Sequence, residues 1–255
     1  MVNRSTFAPS PLSPTRWPSN AFSWKRSLVV ALAVIGAFVL GFAIVLIAII
    51  VLYGTDKTKL AKLPLVVSLV GQLVAYVPIV VVLLAMLPWL ARAPLSAIGF
   101  RAPNGVDILW AIGGAIAMTV VTDAVGGIEQ ALHVPVNETA VDLLRRAHGS
   151  DALLFALVAC IAAPFVEELL FRGFVFNAIR RYTPLWLAVT LGGIVFGAAH
   201  FDPHSVGALL PLAFGGAVLC LVYYLRGVIW VDMLAHALFN ALPVTAILVF
   251  HQKVS

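Results

Sequence analysis

Charge is what this chain has least of. Asp, Glu, Lys and Arg make up only 11% of its 255 residues, against ~25% in an ordinary soluble domain. That scarcity, with 62% hydrophobic residues and a mean hydropathy of +1.05, excludes a soluble globular protein. The net charge of +5 is small and scattered over loops. It reads as a membrane-orientation signal and leaves no footprint for a nucleic acid. Cysteine is nearly absent: Cys160 and Cys220 lie in apolar runs with no Cys-x-x-Cys, so neither a disulfide framework nor a thiol redox motif is written here. Also missing are His-Glu-x-x-His, the zinc-protease signature, and Gly-x-Ser-x-Gly, the serine-hydrolase elbow. No internal repeat is visible, which counts against the inverted halves of a transporter.

What is there is a series of long apolar runs. A helix needs ~20 apolar residues to cross the hydrocarbon core. Candidate spans run at about 27–53, 64–91, 107–131, 152–178, 184–201, 206–225 and 229–250. The expected fold is therefore an all-α polytopic membrane protein, a bundle of about seven transmembrane helices. An eighth would follow from a different division of 105–150. The third span is the weakest, because Asp123, Gly126, Gly127 and Glu129 interrupt its end. Residues 137–147 are amphipathic and predict a short interfacial helix, with Asn137 as its cap. Residues 1–26, rich in Ser, Pro and basic side chains, read as a disordered cytoplasmic tail and not as a signal peptide. Three segments result: the tail 1–26, N-terminal helices over 27–149, and a polar-bearing core over 150–250. With the N-terminus inside, ten Lys and Arg, Arg172 among them, fall on the inner side and six on the outer, as the positive-inside rule prefers. The expected place is a multi-pass integral membrane protein with a cytoplasmic N-terminus.

Against that apolar background the few polar residues stand out. Glu167, Glu168 and Arg172 lie in Ala-Pro-Phe-Val-Glu-Glu-Leu-Leu-Phe-Arg. A carboxylate at membrane depth is costly, by ~2.5–3.5 kcal/mol for a central Asp on insertion scales, and marks function by default. Glu168 and Arg172 are at i, i+4 and can pair. Glu167 points ~100° away around the helix, free to face a cavity as a general base. Pro164 is expected to loosen the helix there. Of six histidines, His133, His148, His204 and His251 lie near loops or the C-terminus. His200 and His236 lie in apolar spans, and Asn240 stands one turn after His236.

The set is complete for peptide hydrolysis. Glu167 can deprotonate a water that His200 holds, and His236 with Asn240 can donate to an oxyanion. Asp232, four residues before His236, is a candidate to orient its imidazole. Asn240 as helix–helix glue stays open. So does a two-histidine, one-carboxylate zinc site on Glu167, His200 and His236; no cofactor is favoured, because Asn fits an oxyanion better than a metal.

Three motifs stand in order: Glu-Glu-x-x-x-Arg at 167–172, Phe-x-x-x-His at 196–200 and His-x-x-x-Asn at 236–240. Over about residues 150–247 the chain resembles the CPBP family, which joins CAAX prenyl endopeptidases with bacteriocin-processing and immunity proteins known as Abi. The resemblance implies an intramembrane endopeptidase acting on a membrane-associated, prenylated or peptide substrate. It implies that Glu167 and His200 activate water and that His236 and Asn240 form the oxyanion site. Family names often say metalloprotease, and a metal-free glutamate mechanism is also argued. The expected partners are the lipid bilayer and a membrane-associated protein or peptide, with no nucleic acid. Two other functions compete: a non-catalytic immunity or scaffold protein, and a transporter or proton relay.

Overall fold

In the computed structural model, residues 18, 20–60, 63–134, 147, 149–201 and 206–251 are described. Eight helices carry the described chain: α1 (Trp24–Tyr53), α2 (Lys57–Leu60), α3 (Leu65–Ala91), α4 (Gly105–Ala131), α5 (Ser150–Arg180), α6 (Leu185–Ala199), α7 (Leu209–Arg226) and α8 (Ile229–His251). Short 3-10 turns at Leu95–Ile98 and Val206–Ala208 join them, and no strand occurs among the described residues. All-α architecture is thus as expected. Six helices are long and apolar enough to cross a membrane, and the shorter α6 is a seventh apolar helix. The third span runs unbroken through Asp123 and Glu129 to Ala131, so its weak end is helical after all. The interfacial helix expected at 137–147, with His148 and His204, falls outside the described residues apart from Ala147.

The chain is an integral membrane protein, and α1 shows why. Leu32, Phe42 and Val51 are 59%, 60% and 76% exposed, an apolar surface that only lipid would cover. Helix α1 packs on α3 in antiparallel fashion, and the contact is close because Gly41 has no side chain. A Cβ there would stand 2.7 Å from the Ala75 carbonyl oxygen. The last residues assigned to the tail are not loose: Ala21 and Phe22 are fully buried, and the Phe22 amide donates to the Leu90 carbonyl at 2.9 Å.

The same small-residue logic brings α6 onto α7. Gly193 and Gly197 lie one turn apart on α6, and a Cβ on Gly197 would come within 2.6 Å of the Leu209 oxygen. Without a hydrophobic force between helices in lipid, such close backbone contact is what holds them. Helix α8 starts inside the bundle, with Val228 and Ile229 fully buried and the Ile229 amide bonded to the Gly99 carbonyl at 3.1 Å.

Candidate active site

Helix α5 is the element that builds the site, and it is not a regular α-helix. Val158–Ala162 and Leu169–Phe176 are π-helical, flanking the α-helical turns Ala163–Glu168. The loosening expected from Pro164 therefore takes the form of wide turns, which recur at functional sites. In the first of them the Ala163 amide bonds to the Val158 carbonyl. The next bond in that register would need an N–H on residue 164, and proline has none. The Ala159 carbonyl left over is taken by the Asn240 amide, Nδ2 to O 2.7 Å. In the second segment Asn177 Nδ2 donates to the Arg172 carbonyl at 2.8 Å and lies 3.0 Å from the Tyr223 hydroxyl.

Within this frame the two glutamates part company. Glu168 and Arg172 are both fully buried, joined through Nη1–Oε1 and Nε–Oε2, each at 3.0 Å. Arg172 also donates from Nη2 to the Gly216 carbonyl at 2.9 Å and lies over the Phe196 ring, 4.8 Å from its centroid. It was counted among the inner-loop charges; in the fold it is the centre of the bundle. Glu168 accepts a second bond from His236, Nδ1 to Oε1 2.9 Å. Glu167 is 18% exposed and faces the imidazoles: His200 Nε2 lies 3.5 Å and His236 Nε2 3.9 Å from its Oε2. His236 is therefore bracketed, with one carboxylate at each ring nitrogen.

His200 follows the last turn of α6, where its Nδ1 meets the Phe196 carbonyl at 2.8 Å. This leaves Nε2 aimed at Glu167. With α6 starting at Leu185 and α5 ending at Arg180, a rise of ~1.5 Å per residue sets His200 ~22 Å and Glu167 ~20 Å from the same end. Phe196, the first residue of its motif, has a clear job. Its ring packs 4.7 Å from that of His200 and 5.7 Å from that of His236, centroid to centroid. Gly216 leaves room for it, since a Cβ there would stand 2.7 Å from the Phe196 Cβ.

Asp232 makes no bond to His236 in the fold. It is fully buried, but neither carboxylate oxygen has a hydrogen-bond partner among the described residues, and Glu168 holds the His236 nitrogen it was expected to orient. Helical spacing put Asp232 on the right face of its own helix; it could not show that α5 presents a nearer carboxylate. Asn240 is brought to the same region, with one amide hydrogen spent on α5. Sequence reasoning passed over Tyr76 and Gln72 on α3. Gln72 donates to the Tyr76 hydroxyl at 2.7 Å, a polar pair inside the third helix. The legible signal was a polar pair at i, i+4 in an otherwise apolar span.

A zinc ion would use Nε2 of His200, Nε2 of His236 and the Glu167 carboxylate. Among the described residues no group of three His, Cys, Asp or Glu side chains is spaced as a metal site.

Fold and site together define an integral membrane protein with a carboxylate–imidazole cluster enclosed by its last four helices. Residues 149–242, which carry the three motifs, match the sequence model of the family described as "Type II CAAX prenyl endopeptidase Rce1-like". Longer matches reach two curated relatives. One is "Putative membrane peptidase YdiL" of Bacillus subtilis (strain 168), 25% identical over 181 residues, 68% of this chain and 69% of the relative. The other is an "Uncharacterized 24.3 kDa protein" of Escherichia coli, 30% identical over 146 residues, 56% of this chain and 65% of the relative. The chain thus spans about two thirds of the length of each. No solved structure matches it significantly. These matches support a membrane protease function in general.

Proposed function

We propose that the protein is an intramembrane endopeptidase that hydrolyses a peptide bond of a membrane-associated protein or peptide. Glu167 is the general base. It takes a proton from a water that His200 Nε2 helps to hold, and the hydroxide attacks the scissile carbonyl carbon. The separations of 3.5 and 3.9 Å from Glu167 to the two imidazoles suit groups that share a small molecule between them better than groups bonded to each other. The carbonyl oxygen becomes an oxyanion that Nε2–H of His236 and the second amide hydrogen of Asn240 stabilise. For Nε2 to donate while Nδ1 meets Glu168, His236 must carry both protons, with Glu168 as its counter-ion. Collapse breaks the C–N bond, and the proton held by Glu167 passes to the leaving amine, directly or through His200.

The observation that carries this reading is the division of the doublet: one glutamate fully engaged by Arg172 and His236, the other open to two imidazoles. No step in this reading is routed through a metal. The N-terminus is read as cytoplasmic. Lys25, Arg26, Arg92, Arg101, Arg180, Arg181 and Arg226 all stand at the end of the bundle where α1, α4, α6 and α8 start, in keeping with the positive-inside rule.

The test compares new protein termini in membranes expressing the wild type with those expressing Glu167→Ala. Termini made by the wild type should vanish with the variant while the variant inserts normally. Full cleavage by purified Glu167→Ala would reject the assignment, and would leave a scaffold or immunity role. Metal analysis of the purified protein, with and without chelator, should leave proteolysis unchanged.

A further inference from the structure

A groove of about 440 Å³ lies between α4 and α7, away from the carboxylate–imidazole cluster. Val106, Leu109, Trp110, Gly113 and Ala117 line it from α4, and Val222 from α7. These α4 positions follow i, i+3, i+4, i+7 and i+11, one face of a helix. Gly113 keeps the groove open: a Cβ added there meets nothing within 4 Å. Gly114 closes its floor, since a Cβ there would stand 3.1 Å from Ala235 and 3.3 Å from Val222. From Val106 to Ala117 the groove runs ~16 Å along the helix, about one leaflet of a hydrocarbon core of ~30 Å.

One end of it is charged, and from both walls. Asp107, next to Val106, is buried at 1% exposure and accepts from Arg101 Nη1 at 3.1 Å, from Arg226 Nε at 2.9 Å and from the Asn104 amide at 2.8 Å. Arg226 comes four residues after Val222, so it shares that face of α7. Two guanidiniums share a single carboxylate, which leaves one positive charge at the mouth. Their side chains are 40% and 21% exposed. An apolar trough one leaflet long, ending in surplus positive charge at the interface, has the shape and charge of one lipid with an anionic head.

We propose that this groove binds an anionic phospholipid, with one acyl chain along α4 and the headgroup phosphate on Arg101 and Arg226. Basic pockets between membrane helices bind such headgroups, and arginine matches a phosphate with a planar fork of donors. A zwitterionic lipid carries its own ammonium and has less to gain from the surplus charge. Because Ala235 touches the groove floor, the lipid braces α8 one residue before His236. The site stands whether or not the chain is a protease.

The experiment is native mass spectrometry of the full chain, offered equal phosphatidylglycerol and phosphatidylcholine of the same acyl composition. The wild type should retain phosphatidylglycerol about fivefold better, the effect of one surplus charge near a phosphate. Arg101→Gln should remove that preference, lowering phosphatidylglycerol retention more than phosphatidylcholine retention. Gly113→Phe fills the groove and should lower retention of both lipids; Gly113→Leu serves if the larger ring impairs folding, which thermal unfolding without added lipid reports. Equal retention of the two lipids by the wild type, a preference that survives Arg101→Gln, or retention indifferent to both Gly113 variants would each overturn the proposal. So would displacement of phosphatidylglycerol by an uncharged isoprenoid alcohol, which would assign the groove to a substrate chain.

Discussion

Helices α1 and α5 are both about thirty residues long, 30 and 31, and solve opposite problems. Helix α1 is apolar all round, offers its side chains to lipid and needs from its neighbours little beyond the close crossing at Gly41. Helix α5 carries two carboxylates and a guanidinium through the same depth, and no part of its polar stretch is left to lipid. Each group meets a partner from another element: His236 from α8, Gly216 from α7, His200 after α6. The difference teaches that polarity in this bundle is tolerated only where several helices together enclose it. The wide turns of α5 belong to that solution, because the backbone groups they free are met by Asn240 and Asn177.

The contrast can be broken most severely at Arg172. Arg172→Leu strands the buried Glu168 charge, and removing one partner of a buried ion pair costs about 3–5 kcal/mol. Thermal unfolding in detergent should register it as a large loss, and an unchanged midpoint would mean that the pair is not the keystone described. Next comes Glu168→Gln, which weakens the hold on His236. A charge-assisted bond of about 1.5–3 kcal/mol translates into a fall of about 10–150-fold in cleavage rate. Asp232→Asn in parallel should change that rate less than Glu168→Gln does, because neither Asp232 oxygen bonds to His236. The reverse order would restore Asp232 as the orienting group. Asn240→Ala should lower stability by about 1 kcal/mol through the orphaned Ala159 carbonyl, with any further fall in rate measured separately at fixed folded fraction. The smallest effect belongs to α1: Val51→Ala, on the lipid face, should stay within about 0.5 kcal/mol and leave cleavage untouched.

Much of this is legible in the sequence, and what is legible is local. The membrane class follows from composition, and the spans from run length. The Glu168–Arg172 pair is an i, i+4 relation inside one helix, so the spacing alone predicts it. The three motifs marked Glu167, His200, His236 and Asn240. The partner of His236 Nδ1 was misread for the same reason. Within α8 Asp232 is the only carboxylate at helical spacing, and spacing says nothing about what another helix presents. Tyr76 escaped notice because α3 carries none of the motifs and its polarity is slight.

Sequence by itself determined that this chain lives in a membrane, as a helical bundle whose rare charges gather in its last hundred residues. Only the tertiary structure decided how those charges divide. A glutamate doublet looks symmetric along the chain, and a helix turns its two members ~100° apart. Which one is enclosed and which one faces a cavity depends on what stands on either side. Here Arg172, His236 and a glycine-thinned α7 close around Glu168, while the short α6 ends where His200 can reach Glu167. Hydrogen bonds between helices are set by packing, and packing is a property of the whole bundle.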